Sequence, residues 1–128
     1  MNIIAIDYGS KNIGLAWCDD ALGVVLPFGM VQNADNRTHN ELVNLIKKEK
    51  IDKIVIGLPL GLDGKENNNT TRVRKFVDDL KKEIKIPVDF VDERFTSAQA
   101  DRMDGGMAGA SRDEKAAMVI LESYLAKQ

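Results

Sequence analysis

Residues 2–18, NIIAIDYGSKNIGLAWC, contain two short apolar runs separated by a polar turn with a glycine. The first run breaks at Asp7 and the second covers Ile13–Cys18, which is typical of two buried strands. A third apolar run, Val24–Val31, follows an acidic turn. Three consecutive short strands predict an antiparallel meander. Pro27 lacks a backbone donor, so the third strand is expected at the edge of the sheet.

After the third strand, the pattern changes to helices that alternate with strands, which is typical of parallel β-α-β units. Two further strands are expected at 54–56 and 88–91, and apolar residues at helical spacing over 73–84 indicate an amphipathic helix between them. Other helices are expected to begin at a Ser or Thr that is followed three positions later by Glu or Gln, the capping box. Three such pairs are present: Thr38 with Glu41, Thr96 with Gln99, and Ser111 with Glu114.

Three strands followed by helix, strand, helix, strand and helix is the element order of the ribonuclease H-like fold. We therefore expect a three-layer α/β/α arrangement around a mixed five-stranded sheet of order 3-2-1-4-5, with strand 2 antiparallel. Sheets of this kind carry functional groups just past the carboxyl ends of their parallel strands. The residues at these ends are Asp7, the turn 57–59, and Asp92 with Glu93.

Size and composition limit the class of protein. The 128 residues, of which 44% are hydrophobic, fit one domain over 1–128 with a core large enough to fold. The single Cys18 excludes an intrachain disulfide. Neither a signal pattern nor an apolar run of membrane-spanning length is present, so we expect a cytoplasmic protein that does not bind membranes. The net charge of -2 argues against binding of nucleic acid by bulk charge alone.

Three acidic residues are candidates for a divalent-metal site, because hard cations take oxygen ligands and phosphodiester cleavage needs several converging carboxylates. They are Asp7, Glu93 and Asp113. A lone aspartate before a glycine turn would more commonly cap its own turn, and the other two acids favour a functional role for Asp7. Asp113 shares one helix face with Ala117 and Ile120, so its carboxylate is expected to point inward. The alternative is an acid that complements the helix dipole.

The last strand ends at two consecutive acids, and only one of them can face the site because side chains alternate along a strand. We assign Glu93 rather than Asp92 to the site, and the alternative is that one of the two pairs with Arg94. Several basic residues could contact the phosphates of a nucleic acid. These candidates are Lys11, Arg72, Arg74, Lys75, Arg94 and Arg112.

Four motifs in this order resemble the YqgF family over essentially the whole chain. They are Asp7-Tyr8-Gly9-Ser10-Lys11-Asn12-Ile13-Gly14, Gly57-Leu58-Pro59 with Asp63-Gly64, Asp92-Glu93-Arg94-Phe95-Thr96-Ser97, and Asp113 ahead of Ala116-Ala117. That family is similar to Holliday-junction resolvases in fold. The resemblance implies a nuclease that trims the 5′ end of precursor 16S ribosomal RNA. It also implies that Asp7, Glu93 and Asp113 are the metal-binding acids, for one or two Mg²⁺ or Mn²⁺ ions. The family often has Lys-Arg before Ile-Gly, and Asn12 removes one phosphate contact expected there.

Alternative functions stay open at this point. Some members of the family have been linked to junction resolution, so branched DNA is an alternative substrate. A catalytically silent RNA-binding or assembly factor would keep the fold without using the acids. A third hypothesis takes residues 7–10 as the phosphate loop of an actin-like or sugar-kinase ATPase, which would need two related domains. The expected partners are nucleic acid and ribosomal precursor particles, and the expected state is a monomer or weak homodimer. Junction resolution would require a two-fold dimer.

Overall fold

The computed structural model describes residues 1–92 and 111–127. The described elements confirm the predicted order of three strands and then helices alternating with strands. They are β1 (Asn2–Tyr8), β2 (Asn12–Asp19), β3 (Val24–Gln32), α1 (Asp35–Lys48), β4 (Lys53–Leu58), α2 (Asn68–Lys81), β5 (Val88–Asp92) and α3 (Arg112–Ala126). The helix predicted to begin at Thr96 lies outside the described residues. Among these ranges, no helix combines the length and apolar character needed to cross a membrane.

The five strands form one sheet in the order β3-β2-β1-β4-β5, as the sequence predicts. β2 runs antiparallel to both β1 and β3, whereas β1, β4 and β5 are mutually parallel. β3 is an edge strand, which confirms the prediction from Pro27, because an edge strand tolerates a residue without a backbone donor. The parallel pairing brings the carboxyl ends of β1, β4 and β5 to one edge, which we call the carboxyl edge.

Helices cover both faces of the sheet, and alternation along the strands divides the core in two. Ile4 and Ile6 of β1 pack on one face among the buried side chains of α1 and α2. Ile3 and Ala5 point to the other face and pack with the buried residues of α3. All four are at most 1% exposed. The two clusters confirm the three-layer α/β/α arrangement, and they define on which face each polar residue at the carboxyl edge must lie.

The capping box predicted at Thr38 and Glu41 is wrong. α1 begins three residues earlier, at Asp35, and no side chain caps its first turn. The buried hydroxyl of Thr38 instead accepts a hydrogen bond from the backbone N–H of Ala34 at 2.5 Å and donates to the carbonyl of Gln32 at 2.7 Å. Thr38 therefore ties the start of α1 to the end of β3 from inside the helix.

The helix predicted from apolar spacing over 73–84 begins earlier, at Asn68, because Asn67 caps it. The Asn67 side chain accepts from the N–H groups of Asn69 and Thr70, and the Thr70 hydroxyl accepts from the N–H of Asn67. Thr70 is fully buried and its hydroxyl also donates to the carbonyl of Pro59. This residue thereby joins the start of α2 to the chain that leaves the end of β4.

A polar bridge holds the carboxyl end of α3 to the opposite end of the parallel strands. Lys53 donates to the hydroxyl of Tyr124 at 2.8 Å, and that hydroxyl donates to Asp89 at 2.6 Å. The hydrogen bond with Tyr124 is the main cause that raises the pKa of the Lys53 ammonium above its ordinary value. The bridge lies at the far end of the sheet from Asp7, so it positions α3 without contributing to the carboxyl edge.

Candidate active site at the carboxyl edge of the sheet

Asp7 lies in β1 one residue before its end, and its side chain faces α3. Ile3 and Ala5 alternate with it along the strand, and both belong to the α3 face. Asp7 pairs across the sheet with Gly14 of β2. Its side chain is half-buried. The strand therefore holds a carboxylate at the carboxyl edge, next to a position where β2 presents no side chain.

The first turn of α3 lies directly on Gly14. A β-carbon added to Gly14 would lie 2.0 Å from the carbonyl oxygen of Asp113 and 3.0 Å from the β-carbon of Asp113. Cross-strand β-carbons lie at most about 5.5 Å apart, so the β-carbons of Asp7 and Asp113 are no more than about 8.5 Å apart. The structure therefore brings together two of the three acids that the sequence predicts, from a strand and a helix at opposite ends of the chain.

Glu114 fastens the start of α3 to the rest of the protein. Its carboxylate accepts from the N–H of Ser111 at 3.0 Å and from the N–H of Gly29 in β3 at 2.9 Å. Burial opposes ionisation of Glu114, but the hydrogen bonds from Ser111 and Gly29 outweigh it and hold the pKa of Glu114 below its ordinary value. The Ser111 hydroxyl in turn accepts from the N–H of Glu114, which confirms the predicted capping box. This arrangement fixes the residue that precedes Glu114, Asp113.

The helical phase of Asp113 also agrees with the prediction. Ala117 and Ile120 follow it on one face of α3, and both are fully buried against the sheet. Asp113 itself is half-buried at the N-terminal end of this face. Its carboxylate therefore lies where the packed face of α3 meets the carboxyl edge.

The structure also places Asp92, the alternative to Glu93. Val91 packs on the α3 face, and the preceding Phe90 lies on the other face beneath Arg74 of α2. Alternation puts Asp92 on the face of Phe90, away from Asp7. Asp92 is thus not on the face of the two acids. Glu93 lies outside the described residues, and its assignment stays a prediction.

The donor chemistry of this edge fits a hard divalent cation. Asp7 and Asp113 supply carboxylate oxygens, the ligands that Mg²⁺ prefers, and half-burial makes a pair of negative charges costly without a cation. Within residues 1–92 and 111–127, no group of three or more His, Cys, Asp or Glu side chains could hold a metal ion. Among the described residues, Asp7 and Asp113 are the two predicted metal-binding acids that the fold brings to this edge, and their role as ligands stays a prediction.

Comparison with known proteins identifies the family of this chain. The model of the RuvX family, described as Holliday junction resolvase, matches residues 1–127. The chain belongs to the RuvX/YqgF family. A relative from Maridesulfovibrio salexigens, provisionally named pre-16S rRNA nuclease, is 35% identical, and the match covers 99% of each chain. The family predicted from the four motifs is therefore confirmed.

Solved structures similar to this RuvX/YqgF chain include two Holliday junction resolvases. Thermus thermophilus RuvC in complex with a Holliday junction substrate aligns with a TM-score of 0.68 at 14% identity, covering 99% of this chain and 94% of that one. The fowlpox virus Holliday junction resolvase aligns with a TM-score of 0.66 at 12% identity over the whole of both chains. At such identities the likeness concerns the fold alone, and it confirms the ribonuclease H-like prediction.

Two basic residues predicted to contact substrate flank the acids in this RuvX/YqgF chain. Lys11 lies in the turn between β1 and β2, and Arg112 is the first residue of α3, directly before Asp113. Both side chains are exposed. Asn33 holds the turn in place, because its amide donates to the carbonyl of Gly9 at 2.8 Å and its N–H donates to the carbonyl of Lys11 at 2.8 Å.

The other described basic candidates lie on other surfaces. Arg72 and Lys75 are exposed on α2, on the face away from Asp7. Arg74 makes two hydrogen bonds to the carboxylate of Glu66, at 2.7 and 3.0 Å, and its guanidinium lies 5.3 Å from the ring centre of Phe90. Arg74 therefore holds the loop before α2 against β5. Arg94 lies outside the described residues.

Two positions that build the site were not assigned to it from the sequence. In the sequence, Gly14 is recognised only as the second glycine of the first motif. No local pattern indicates that a helix from the other end of the chain lies on it. Glu114 was recognised as a capping residue, but its second bond to Gly29 joins elements that are distant in sequence. The capping box itself was the available signal that the start of α3 is rigid.

Proposed function

We propose that this RuvX/YqgF-family protein is a divalent-metal-dependent nuclease that processes the 5′ end of precursor 16S rRNA. The observation that carries the proposal is the meeting of Asp7 and Asp113 across Gly14. Phosphodiester hydrolysis with divalent ions needs carboxylates that converge from separate elements, and these two come from β1 and α3. The name of the Maridesulfovibrio salexigens relative supports precursor 16S rRNA as the substrate.

In this proposal, Asp7, Asp113 and Glu93 would hold one or two Mg²⁺ or Mn²⁺ ions. Such an ion, when bound, lowers the pKa of an attacking water and stabilises the leaving oxygen. The chain's own contribution is to hold the carboxylates in place before the substrate arrives. The backbone of β1 orients Asp7, and the contact of α3 with Gly14 orients Asp113.

Lys11 and Arg112 would bind the phosphates on either side of the bond that is cut. Both are exposed at the carboxyl edge, one in the turn after β1 and one in the first turn of α3. Phosphate contacts of this kind position the backbone of a nucleic acid without reading its sequence. Arg94 and Arg72 would extend the contact. Arg74 contributes less, because Glu66 already neutralises its charge.

Removal of single carboxylates tests the metal site. Asp7→Asn and Asp113→Asn are expected to bring cleavage in Mg²⁺ or Mn²⁺ below detection, and excess chelator should do the same to the wild type. Asp92→Asn is the matched control, because it removes an equal charge from the end of β5, on the other face of the sheet. Glu93→Gln should behave like Asp7→Asn. Wild-type cleavage by Asp7→Asn, or inactivity of Asp92→Asn alone, would contradict the assignment.

The choice of substrate needs a direct comparison. The family description favours a second candidate, a Holliday junction resolvase that acts on branched DNA. Each enzyme preparation should therefore be given a precursor rRNA 5′ end and a four-way DNA junction in parallel. We expect faster cleavage of the RNA than of the junction. We also expect the enzyme to be a monomer or weak homodimer and to act in the cytoplasm. Symmetric cutting of the junction by a stable two-fold dimer would favour the second candidate. Binding without cleavage of either substrate would indicate a silent assembly factor.

A further inference from the structure

A groove between α1 and α2 lies on the face of the sheet opposite Asp7. We call it the α1–α2 groove. It encloses about 650 Å³, and its lining includes Tyr8, Asn33, His39, Arg72, Lys75 and Phe76. A second depression of about 560 Å³ shares Tyr8, Asn33 and Arg72 with it and reaches Ser10 in the turn after β1. The groove therefore begins at the carboxyl edge and continues away from the acids.

In the described part of the chain, the groove carries two basic residues without an acidic partner. Its two acids are already engaged, since Glu83 lies 2.7 Å from His39 and Asp79 lies 3.4 Å from Lys82. Arg72 and Lys75 are exposed and make no ion pair with any acid in residues 1–92 and 111–127. They stand three positions apart on α2, so they project from one helix face. Two free cations one helical turn apart suit two successive phosphates of a flexible strand.

Two aromatic rings, Tyr8 and Phe76, form part of the groove wall beside these cations. The centroids of Tyr8 and Phe76 lie 4.7 Å apart at an interplanar angle of 45°. Both rings are half-buried, so each keeps some surface open to the groove. Aromatic faces beside a basic track are the usual platform for unpaired bases, whereas the base faces of a double helix are stacked and hidden.

We propose that the α1–α2 groove binds a single-stranded extension of the nucleic acid whose backbone is cut at Asp7. Arg72 and Lys75 contact its phosphates, and a base stacks on Tyr8 and Phe76. Tyr8 directly follows Asp7, and their side chains lie on opposite faces of the sheet. A nucleic-acid strand that crosses the end of β1 thus passes from the acids into the groove. This inference rests on the proposed nuclease function and extends it to an unpaired segment beside the cleaved bond.

Strand binding can be measured separately from cleavage. Fluorescence anisotropy in excess chelator should compare a labelled 12-nucleotide RNA, a DNA of the same sequence, and a blunt duplex. We expect the wild type to bind the single strands more tightly than the duplex. The difference in affinity between the RNA and the DNA shows whether the 2′-hydroxyl contributes to binding. The logarithm of the binding constant falls linearly with the logarithm of the salt concentration, and each phosphate contact on a single strand contributes about 0.7 to the slope. Arg72→Ala with Lys75→Ala should therefore reduce this slope by about 1.4. At 0.1 M salt this corresponds to about 25-fold weaker binding.

A charge-matched control is available in Lys48→Ala with Lys81→Ala, which removes two exposed lysines that do not line the groove. This control should bind within about twofold of the wild type. Equal weakening by both double variants, or a wild-type preference for the duplex, would overturn the groove assignment. Phe76→Leu keeps an apolar side chain but loses the ring, and it should weaken single-strand binding at least about fivefold. Unchanged binding by this variant would overturn the stacking role.

Failure of this inference and failure of the nuclease proposal have different outcomes. Asp7→Asn should lose cleavage and keep single-strand binding, because the groove lies on the other face. Intact cleavage without any groove-dependent binding would refute the groove alone. Groove-dependent binding by a wild type that cleaves nothing would refute the nuclease alone.

Discussion

Replacement of Gly14 by alanine should separate Asp113 from Asp7 without removing either carboxylate. Gly14 does not have a left-handed backbone conformation, so an alanine can adopt it, and the clash with α3 alone decides the outcome. The added β-carbon would lie 2.0 Å from the carbonyl oxygen of Asp113, whereas an ordinary contact begins at 3.4 Å. The first turn of α3 must therefore move by about 1.4 Å. Its carbonyl cannot turn away alone, because it belongs to the helix backbone.

The expected loss of activity follows from that displacement. A misplacement of about 1 Å at a catalytic group can reduce the rate about a hundredfold. We therefore expect Gly14→Ala to lower kcat/KM for cleavage by at least about a hundredfold. Overpacking should also lower the free energy of unfolding by about 1–3 kcal/mol. The effect on activity should thus be far larger than the effect on the folded fraction.

Cleavage rates and denaturant unfolding of the same preparations test this prediction. Ile120→Val is a suitable control, because it lies on the packed face of α3 and should cost about 0.5–1.5 kcal/mol without moving Asp113. The control should keep most of the wild-type rate. Raising the metal concentration should restore part of the Gly14→Ala rate, since the displaced carboxylate binds the ion more weakly. A Gly14→Ala variant with the wild-type rate would refute the idea that close contact of α3 with β2 builds the site.

Three other substitutions should affect stability in defined ways. Thr70→Val leaves the part-buried carbonyl of Pro59 without its donor, so the free energy of unfolding in urea should fall by about 1–3 kcal/mol. Tyr124→Phe removes the hydrogen bond to Asp89 and should cost about 1 kcal/mol while cleavage stays unchanged, because this bridge lies at the far end of the sheet. Burial raises the pKa of Glu122, so its carboxyl destabilises the fold as pH rises through that pKa. Glu122→Gln should therefore raise the melting temperature at neutral pH, and the gain should disappear below the ordinary pKa near 4.5.

The starts of the helices show how far local patterns can be trusted. Ser111 and Glu114 form the predicted capping box because both partners lie within one turn, and Gly29 binds the other carboxylate oxygen of Glu114. Thr38 has the same local pattern, but its hydroxyl bonds to Gln32 at the end of β3, so the helix begins earlier. The start at Asn67 was not predicted, because its box ends in a threonine instead of Glu or Gln.

The candidate site was likewise predictable from local patterns only in part. Alternation along β1 and helical phase along α3 predict the faces of Asp7 and Asp113, since each depends only on neighbouring residues. Alternation along β5 does not by itself say which face Asp92 takes, and the packing of Val91 beneath α3 puts Asp92 on the other face. The assignment of Glu93 stays a prediction. Arg72 and Arg74 look equivalent in the sequence. Only the structure shows that one faces a groove and that the other is bound to Glu66.

The opening stretch, residues 2–18, by itself determined a hairpin of two buried strands that holds a carboxylate at the end of the first. The order of later elements determined the fold around it, because backbone periodicity is a local property. Tertiary structure alone decided that the bare position of Gly14 receives the first turn of α3. That contact depends on how a helix from one end of the chain packs on strands from the other. No spacing along the sequence contains that information.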